Sequence, residues 1–162
     1  GVGKKTIIQK IARLIVEDNV PNALKNKRIL QINIPLLLEK ATPQEIQEKL
    51  LVIFDEAEKS GNIILYFENL ENLTNLYINT DANLAINEII FNYFSSRDNY
   101  SFASTTSDNF KTHLENKLIC NALNVININE PKENLAIQIL ASKVSSLEKK
   151  HQVFFSYNWI TA

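Results

Sequence analysis

The sequence predicts an α/β protein with a doubly wound parallel sheet, and two observations carry this prediction. Stretches in which apolar residues recur at helical spacing alternate along the chain with shorter stretches typical of strands. One short stretch, 63–67, is apolar without interruption, which is typical of a strand buried on both faces of a parallel sheet. Alternation of this kind favours parallel strands joined by right-handed helical crossovers.

The chain opens with a helix and then a strand. The helix is predicted over residues 4–16, whose apolar side chains repeat at helical intervals. The strand lies in "KRILQINIP", where Leu30, Ile32 and Ile34 alternate with polar residues. Pro35 is expected to close this strand, because proline cannot donate to the hydrogen-bond ladder of a sheet.

The clearest helix lies in "ATPQEIQEKLLVIFDEAEKSGN". Thr42 is suited to cap its N-terminus, Pro43 suits the first helical position, and Glu45 completes a capping box. Gly61 supplies the stop at the C-terminal end. The buried strand 63–67 follows directly.

The remaining elements continue the alternation, and Pro131 closes the last strand. In chain order they are a helix in "TDANLAINEIIFNYFSS", a strand in "YSFASTTS", a helix in "NFKTHLENKLI", a strand in "ALNVININEP", a helix in "KENLAIQILASKVSSLEKK", an extended piece in "QVFFS" and the start of a further helix at Tyr157.

Composition excludes several kinds of protein. A net charge of −1 over 162 residues argues against binding nucleic acid or anionic membranes through bulk charge. No apolar run approaches the roughly 18 residues of a membrane span. One cysteine, Cys120, and two scattered histidines provide neither a disulfide framework nor a zinc site. We therefore expect a protein of the reducing cytoplasm that binds neither nucleic acid nor membrane.

The first residues, "GVGKKT", match the second half of a phosphate-binding loop, G-x-x-x-x-G-K-[ST]. In such loops a helix N-terminus holds phosphate, the lysine reaches the outer phosphates and the hydroxyl binds Mg²⁺. Here a lysine takes the hydroxyl position, and the next residue is turned by about 100° from it along a helix. A chance Gly-x-Gly-Lys sequence is the alternative. The candidate phosphate-binding residues are Gly1, Val2, Gly3, Lys4, Lys5 and Thr6.

A carboxylate follows the buried strand. Glu68 lies where proteins with this loop carry the Asp that holds the Mg²⁺ shell, and Asn69 lies where a Glu often activates water. The amide of Asn69 cannot take a proton. The alternatives are a solvated carboxylate at a strand end for Glu68 and an exposed helix lysine for Lys5.

Four stretches together resemble one family in order and spacing. They are "GVGKKTIIQKIARLIVEDNVPNALKNKRIL", "EAEKSGNIILYFENL", "ASTTSDNF" and "INEPKENLAIQIL". They resemble the first ATPase module of Clp-type (ClpB/ClpC-like) AAA+ unfoldases, which reads approximately GVGKTAI…VP..L..KR, E.EK.GNIILFIDEL, GATT..E and V.EP…..AI.IL. The resemblance covers nearly the whole chain, although no single motif is intact. It implies a P-loop NTPase (AAA+) sheet, truncated at its N-terminal strand, and the start of a helical lid subdomain.

The resemblance implies roles for single positions. Lys4 matches the lysine that binds phosphate, and Lys5 replaces the hydroxyl that binds Mg²⁺. Glu68 replaces the metal-shell Asp, Asn69 replaces the catalytic Glu, and Thr106 matches the polar sensor of the γ-phosphate. The catalytic candidates are therefore Glu68, Asn69 and Thr106, and no residue is assigned as a metal ligand.

Three further positions depart from the family pattern. Asn121 and Ala122 replace the arginines that reach into a neighbouring subunit's site. Thr42 stands where the family's substrate-gripping pore loop carries an aromatic residue. Taken together, the departures from the family pattern affect metal binding, the general base, the arginines and the pore loop. These are separate parts of the family's mechanism.

The resemblance implies the large αβα subdomain of an AAA+ module at 1–130, beginning inside the P-loop, and a connecting helix with the start of the small lid subdomain at 131–162. It implies a degenerate chaperone or unfoldase module, a pseudoenzyme that binds ATP or ADP weakly, for which Mg²⁺ is doubtful and hydrolysis is weak or absent. The implied partners are sister subunits in a ring, a hexamer in this family, and protein substrates or a Clp-type protease. The alternatives are an active ATP-hydrolysing chaperone subunit and a protein-interaction scaffold without nucleotide.

Overall fold

The computed structural model describes residues 3–154, with the side chain of Ser146 excepted. These residues fall into two compact units, 3–125 and 126–154. The first unit contains the sheet and most of the helices, and the second contains one long helix. The helix predicted to begin at Tyr157 lies outside the described residues.

The sheet has three parallel strands in the order in which they occur along the chain. The strands are β1 (Arg28–Ile32), β2 (Ile63–Glu68) and β3 (Tyr100–Ser104). Leu65 of the central strand lies opposite Leu30 on one side and Ser101 on the other. The predicted α/β class with a parallel sheet is confirmed, because each pair of neighbouring strands is joined through a helix.

Helices of very different length connect the strands. The α-helices are α1 (Lys4–Val16), α2 (Ile34–Leu38), α3 (Pro43–Ser60), α4 (Glu71–Thr74), α5 (Asp81–Ser95), α6 (Ser107–Asn109) and α7 (Glu133–His151), with 3₁₀ turns at Asn22–Leu24 and Leu118–Ala122 and a π turn at Phe110–Leu114. The predictions for α1, α3, α5 and α7 are confirmed.

Strand β2 is buried on both faces, as its uninterrupted apolar run predicts. Ile64, Leu65, Tyr66 and Phe67 are each at most 2% exposed. Side chains alternate between the two faces of a strand, so Leu65 and Phe67 share one face and Ile64 and Tyr66 the other. The Leu65 face belongs to the main core, which also contains the buried sides of α3 and α5.

Aromatic rings connect the layers of this core. The Phe54 ring of α3 stacks on the Tyr93 ring of α5 with centroids 4.1 Å apart. Phe67 of β2 meets Phe54 edge-on at 6.2 Å and Phe94 edge-on at 5.3 Å. Such pairs stabilise a core beyond the area they bury, by about 0.5–1.5 kcal/mol each. The rings therefore fix α3 and α5 against the strand that ends at Glu68.

Helix α3 begins and ends as its sequence predicts. The Thr42 hydroxyl accepts a hydrogen bond from the Glu45 N–H at 3.3 Å, and the Glu45 carboxylate accepts one from the Thr42 N–H at 2.7 Å. These reciprocal bonds form the predicted capping box. Gly61 ends the helix at a φ of 65°, which a residue without Cβ adopts without strain.

The segment after β1 differs from its prediction. Pro35 was expected only to close the strand, but it lies in the first turn of the short helix α2. The Asn33 side chain accepts a hydrogen bond from the Leu36 N–H at 3.1 Å and caps this helix. Proline fits the first turn because its missing N–H has no partner there in any case.

Near the end of the first unit one prediction holds in part and one is wrong. The helix expected in "NFKTHLENKLI" is divided into α6, the π turn and the second 3₁₀ turn, and residues 115–117 lie outside these elements. The strand expected in "ALNVININEP" is not formed, since residues 123–132 adopt neither helix nor strand. An alternating pattern marks residues that could share a face, but a strand also requires a paired neighbour, and the described sheet contains three members only.

The second unit consists of residues 126–154 and is dominated by α7. Basic residues fill the last turn of this helix, at Lys149, Lys150 and His151, where they complement the helix dipole. Gln152 follows in a left-handed conformation with a φ of 54°, and the predicted "QVFFS" piece is described only through Phe154. None of the helices described between residues 3 and 154 has the length and apolarity needed to cross a membrane.

Candidate functional site

Helix α1 starts in the geometry that its glycine predicts. Gly3 precedes the helix with a φ of 83°, and its carbonyl accepts a hydrogen bond from the Ile7 N–H at 3.1 Å. No side chain caps this N-terminus, and its first turn contains no acidic residue. The unpaired N–H groups and the two lysines that follow give this end of α1 a positive character.

The Lys5 side chain contacts the carboxylate at the end of β2. Its Nζ lies 3.2 Å from Oε2 of Glu68, and the side chains are 51% and 33% exposed. Two candidates that are 63 positions apart in sequence thus meet, because α1 begins beside the carboxyl end of the central strand. Both side chains remain partly exposed to solvent while they contact each other.

Gln31 completes this contact and was not predicted. Its Nε2 donates to the same Glu68 oxygen at 2.7 Å. Gln31 belongs to β1, whose register places it opposite Tyr66 of β2, two residues before Glu68. We call Lys5, Gln31 and Glu68 the strand-end cluster. Its signal in the sequence is a polar residue near the carboxyl end of a neighbouring parallel strand.

Asn69 turns the chain directly after β2. Its φ is 56°, a left-handed conformation that Asn adopts more readily than most residues. The following Leu70 N–H donates to the carbonyl of Ser104 at 3.1 Å, which ties this turn to the end of β3. The left-handed backbone conformation therefore favours Asn over most other residues at position 69.

Thr106 lies just beyond β3 and caps α6. Its hydroxyl accepts a hydrogen bond from the Asn109 N–H at 3.2 Å. Within residues 3–154, no hydrogen bond joins Thr106 to Lys5 or Glu68. The structure places it at the same end of the sheet as Glu68, since Ser104 is the register partner of Glu68.

A second carboxylate near the site is buried. Glu71 is 4% exposed, and its Oε1 accepts a hydrogen bond from the Asn109 side chain at 2.6 Å. Lys117 lies nearby and donates to the Thr74 carbonyl and to the Asn75 side chain, and burial lowers the pKa of Lys117. These bonds tie the segment after β2 to α6 and to the chain before the second 3₁₀ turn. The sequence pattern did not predict this buried polar group.

Comparison with known proteins relates this geometry to one group of proteins. No family model matches the chain. It is 29% identical to the chaperone protein ClpB of Helicobacter hepaticus over 94% of its own length, and 29% identical to the chloroplastic chaperone protein ClpD of Arabidopsis thaliana over its whole length. The chain spans about a fifth of those relatives, 18% in both cases.

Solved structures of Hsp104 share the fold. A closed-state cryo-EM reconstruction of Hsp104 with ATPγS and FITC-casein matches with a TM-score of 0.80 and 21% identity, over 95% of this chain and 26% of that one. An extended Saccharomyces cerevisiae Hsp104–casein complex matches with a TM-score of 0.77 at 21% identity, over 94% of this chain and 26% of that one. The resemblance to Clp-type AAA+ proteins is confirmed. The fold is that of an AAA+ P-loop module.

Mg²⁺, which P-loop modules of this type use, does not fit the residues of the strand-end cluster. The cation requires oxygen ligands in near-ideal octahedral geometry, whereas an ammonium can only donate hydrogen bonds. The Lys5 ammonium and the Gln31 amide both point at the same oxygen of Glu68. Nor do residues 3–154 contain three His, Cys, Asp or Glu side chains grouped so that they could hold a metal ion.

The other predicted positions are placed as follows. Lys4 is half-buried at the first position of α1, and Thr6 is exposed. Asn121 and Ala122 lie in the second 3₁₀ turn. Gly1 and Val2 lie outside the described residues. The roles of all these positions in binding nucleotide stay predictions.

Proposed function

We propose that this chain is a degenerate Clp-type AAA+ module that binds ATP or ADP weakly and hydrolyses ATP slowly or not at all. The observation that supports this most directly is the contact between Lys5 and Glu68. An ammonium and a carboxylate satisfy each other at the place where an active module of this family holds the metal.

The missing base is the second support. A general base must take a proton from the attacking water, and Asn69 carries an amide that can only orient it. Loss of such a base typically lowers a rate by about 10²–10⁴-fold. Asn69 has a left-handed backbone conformation, which favours Asn over the Glu of the family pattern at this position.

The missing arginines are the third support. Asn121 and Ala122 occupy the positions that the resemblance gives to arginines acting on a neighbouring subunit. An arginine finger accelerates phosphoryl transfer by roughly 10³–10⁵-fold. Because these groups act together, their losses do not add, but each alone predicts slow hydrolysis.

The wider assignment follows from the relatives. We propose that residues 1–130 form the large subdomain and 131–162 the start of the lid, and that the module packs in a cytoplasmic ring of sister subunits, a hexamer by analogy. Hsp104 has been solved with casein, which supports a protein substrate for the complete molecule. Thr42 belongs to the capping box of α3, so this module itself is proposed not to grip substrate with an aromatic side chain.

Steady-state phosphate release tests the proposal. The full-length protein is measured with any second ATPase module inactivated, and a Lys4→Ala variant gives the background. We expect the wild-type rate to equal that background. A rate near one per second, typical of a working enzyme, would show that this is an active ATPase. Calorimetry that detects no heat at millimolar nucleotide would instead favour the scaffold without nucleotide.

A further inference from the structure

The strand-end cluster balances its charges without a metal ion. Its formal charges are one ammonium and one carboxylate, and Gln31 adds a neutral donor. With Lys4 beside it, the site carries one net positive charge. In the pattern that the resemblance implies, a lysine, a divalent cation and two carboxylates also leave one net positive charge. Lys5 stands where the pattern has a hydroxyl, and Asn69 stands where it has a carboxylate. Without a metal ion, these two substitutions together leave the net charge near a bound phosphate the same.

Lys5 can act on a phosphate as well as on Glu68. An ammonium has three donors, and the contact with Glu68 uses one of them. The side chain is 51% exposed, so the remaining donors can reach a ligand. Lysine is an established phosphate-binding residue that acts as a point charge. Lys5 also lies in the first turn of α1, next to the unpaired N–H groups that favour an anion.

Glu68 would repel a phosphate if its charge were free. The Lys5 ammonium and the Gln31 amide both donate to its Oε2, at 3.2 Å and 2.7 Å. These bonds hold the carboxylate against β1 and α1 and reduce the charge that it presents. Gln31 thus acts as a positioning residue that keeps Glu68 beside Lys5.

We propose that the Lys5 ammonium takes the place of the divalent cation in this module, so that it binds nucleoside diphosphate or triphosphate equally well with and without Mg²⁺. The inference rests on the proposed function in one respect, which is that the module binds nucleotide. Binding that does not depend on Mg²⁺ is an additional property, which a slowly hydrolysing module need not have.

Nucleotide affinity measured in two buffers tests this inference. A fluorescent ADP analogue is titrated into the full-length protein, with nucleotide binding to any second module abolished, in excess Mg²⁺ and in excess EDTA. The two dissociation constants are expected to agree within about threefold, because the main charge contact comes from the protein. This comparison uses the wild type only, so it does not depend on the folding of a variant.

Variants of Lys5 identify the residue responsible. Lys5→Thr is expected to weaken binding in EDTA by about tenfold or more, since it removes a charge-assisted contact, and to make binding dependent on Mg²⁺. Lys5→Arg keeps the charge and should keep binding independent of Mg²⁺. Lys10→Thr is the matched control, because Lys10 is an exposed lysine further along the same helix and should change neither constant.

The outcomes separate this inference from the proposed function. Wild-type binding that weakens tenfold or more in EDTA would overturn the inference while leaving slow hydrolysis intact. Absence of binding in both buffers would overturn the inference together with nucleotide binding. Equal binding in both buffers with phosphate release near one per second would support the metal-free site and contradict the proposed slow hydrolysis.

Discussion

At the scale of single residues, Asn69 has a structural role at the position where the resemblance implies a catalytic Glu. Its φ of 56° turns the chain after β2, and the next N–H is bonded to the end of β3. Asn tolerates this left-handed conformation better than Glu does. The residue proposed to leave the site without a general base is therefore also one that suits the turn.

The single reversion Asn69→Glu is expected to leave phosphate release at the wild-type level and to lower the free energy of unfolding by about 1 kcal/mol. A carboxylate is introduced, but Lys5 still contacts Glu68 at the proposed metal position, and Glu is strained at this φ. Urea unfolding and phosphate release measure the two effects. Asn69→Gly is the control, because glycine accepts this φ and should not destabilise the protein. A variant as stable as the wild type would contradict the strain argument.

The sequence predicted part of the site and missed the rest for physical reasons. Lys5 and Glu68 were identified because each stands at a fixed distance from a local pattern, a Gly-Lys pair and the end of a buried strand. Gln31 was missed because its role depends on strand register, which a single sequence does not specify. The buried Glu71 was missed because its partner, Asn109, lies 38 positions away.

At the scale of elements, predictions succeeded where local signals agreed and failed where an element depended on a partner. Helix α3 had a capping box, an apolar stripe and a glycine stop, and all three are found. The segment 123–132 had only an alternating pattern, and it forms no strand. The segment after β1 was misread because Pro35 suits both a strand end and a helix start.

Removal of the α3 cap is expected to destabilise the protein. Thr42→Ala deletes the hydroxyl that accepts from the Glu45 N–H, and loss of such a cap costs about 1 kcal/mol. Urea unfolding measures the change. Thr112→Ala is a suitable control, since Thr112 is an exposed residue of the π turn. Equal losses in both variants would show that the capping box contributes nothing specific.

The contact between α3 and α5 is expected to weaken at high pH. Burial raises the pKa of Tyr93 to about 12, with a smaller contribution from the Glu58 carboxylate. The unfolded chain releases this proton near the ordinary value of 10.0. The stability that depends on the protonated phenol is therefore fully present below pH 10 and is lost as the pH rises towards about 12.

Tyr93→Phe removes the group that titrates while keeping the ring that stacks on Phe54. Its unfolding free energy is expected to fall less steeply than that of the wild type above pH 10, which urea unfolding at several pH values can measure. Tyr77→Phe serves as the control, because Tyr77 is 40% exposed. Parallel pH profiles for Tyr93→Phe and the wild type would rule out this origin of the alkaline loss.

At the scale of the whole molecule, the chain is a small part of what its relatives contain. It spans 18% of the ClpB and ClpD relatives and 26% of the Hsp104 chains. Ring assembly and a protein substrate are therefore proposals about the complete protein and are to be tested on it. If the module behaves as proposed and binds nucleotide without turning it over, the bound nucleotide would stabilise one of its conformations for as long as it stays.

Restoring the residues that would bind the metal and activate water should show whether hydrolysis was lost through these substitutions or was never compatible with this fold. The triple variant Lys5→Thr, Glu68→Asp, Asn69→Glu supplies the hydroxyl and both carboxylates that the family pattern requires. In a full-length ring with any second module inactivated, we expect phosphate release to rise above the wild-type level. It should stay well below that of an active module, because Asn121 and Ala122 still stand where the resemblance implies arginines, and an arginine finger contributes about 10³–10⁵-fold.

The comparison that decides this prediction uses two further variants. Lys4→Ala added to the triple variant should abolish the gain, because the phosphate lysine is needed whatever holds the metal. Asn69→Glu alone should show no gain, because Lys5 still contacts Glu68 at the proposed metal position. If the triple variant binds nucleotide in the presence of Mg²⁺ and remains as slow as the wild type, then these three substitutions are not what limits hydrolysis. Asn121 and Ala122, which stand where the resemblance implies arginines, would then be the next positions to substitute.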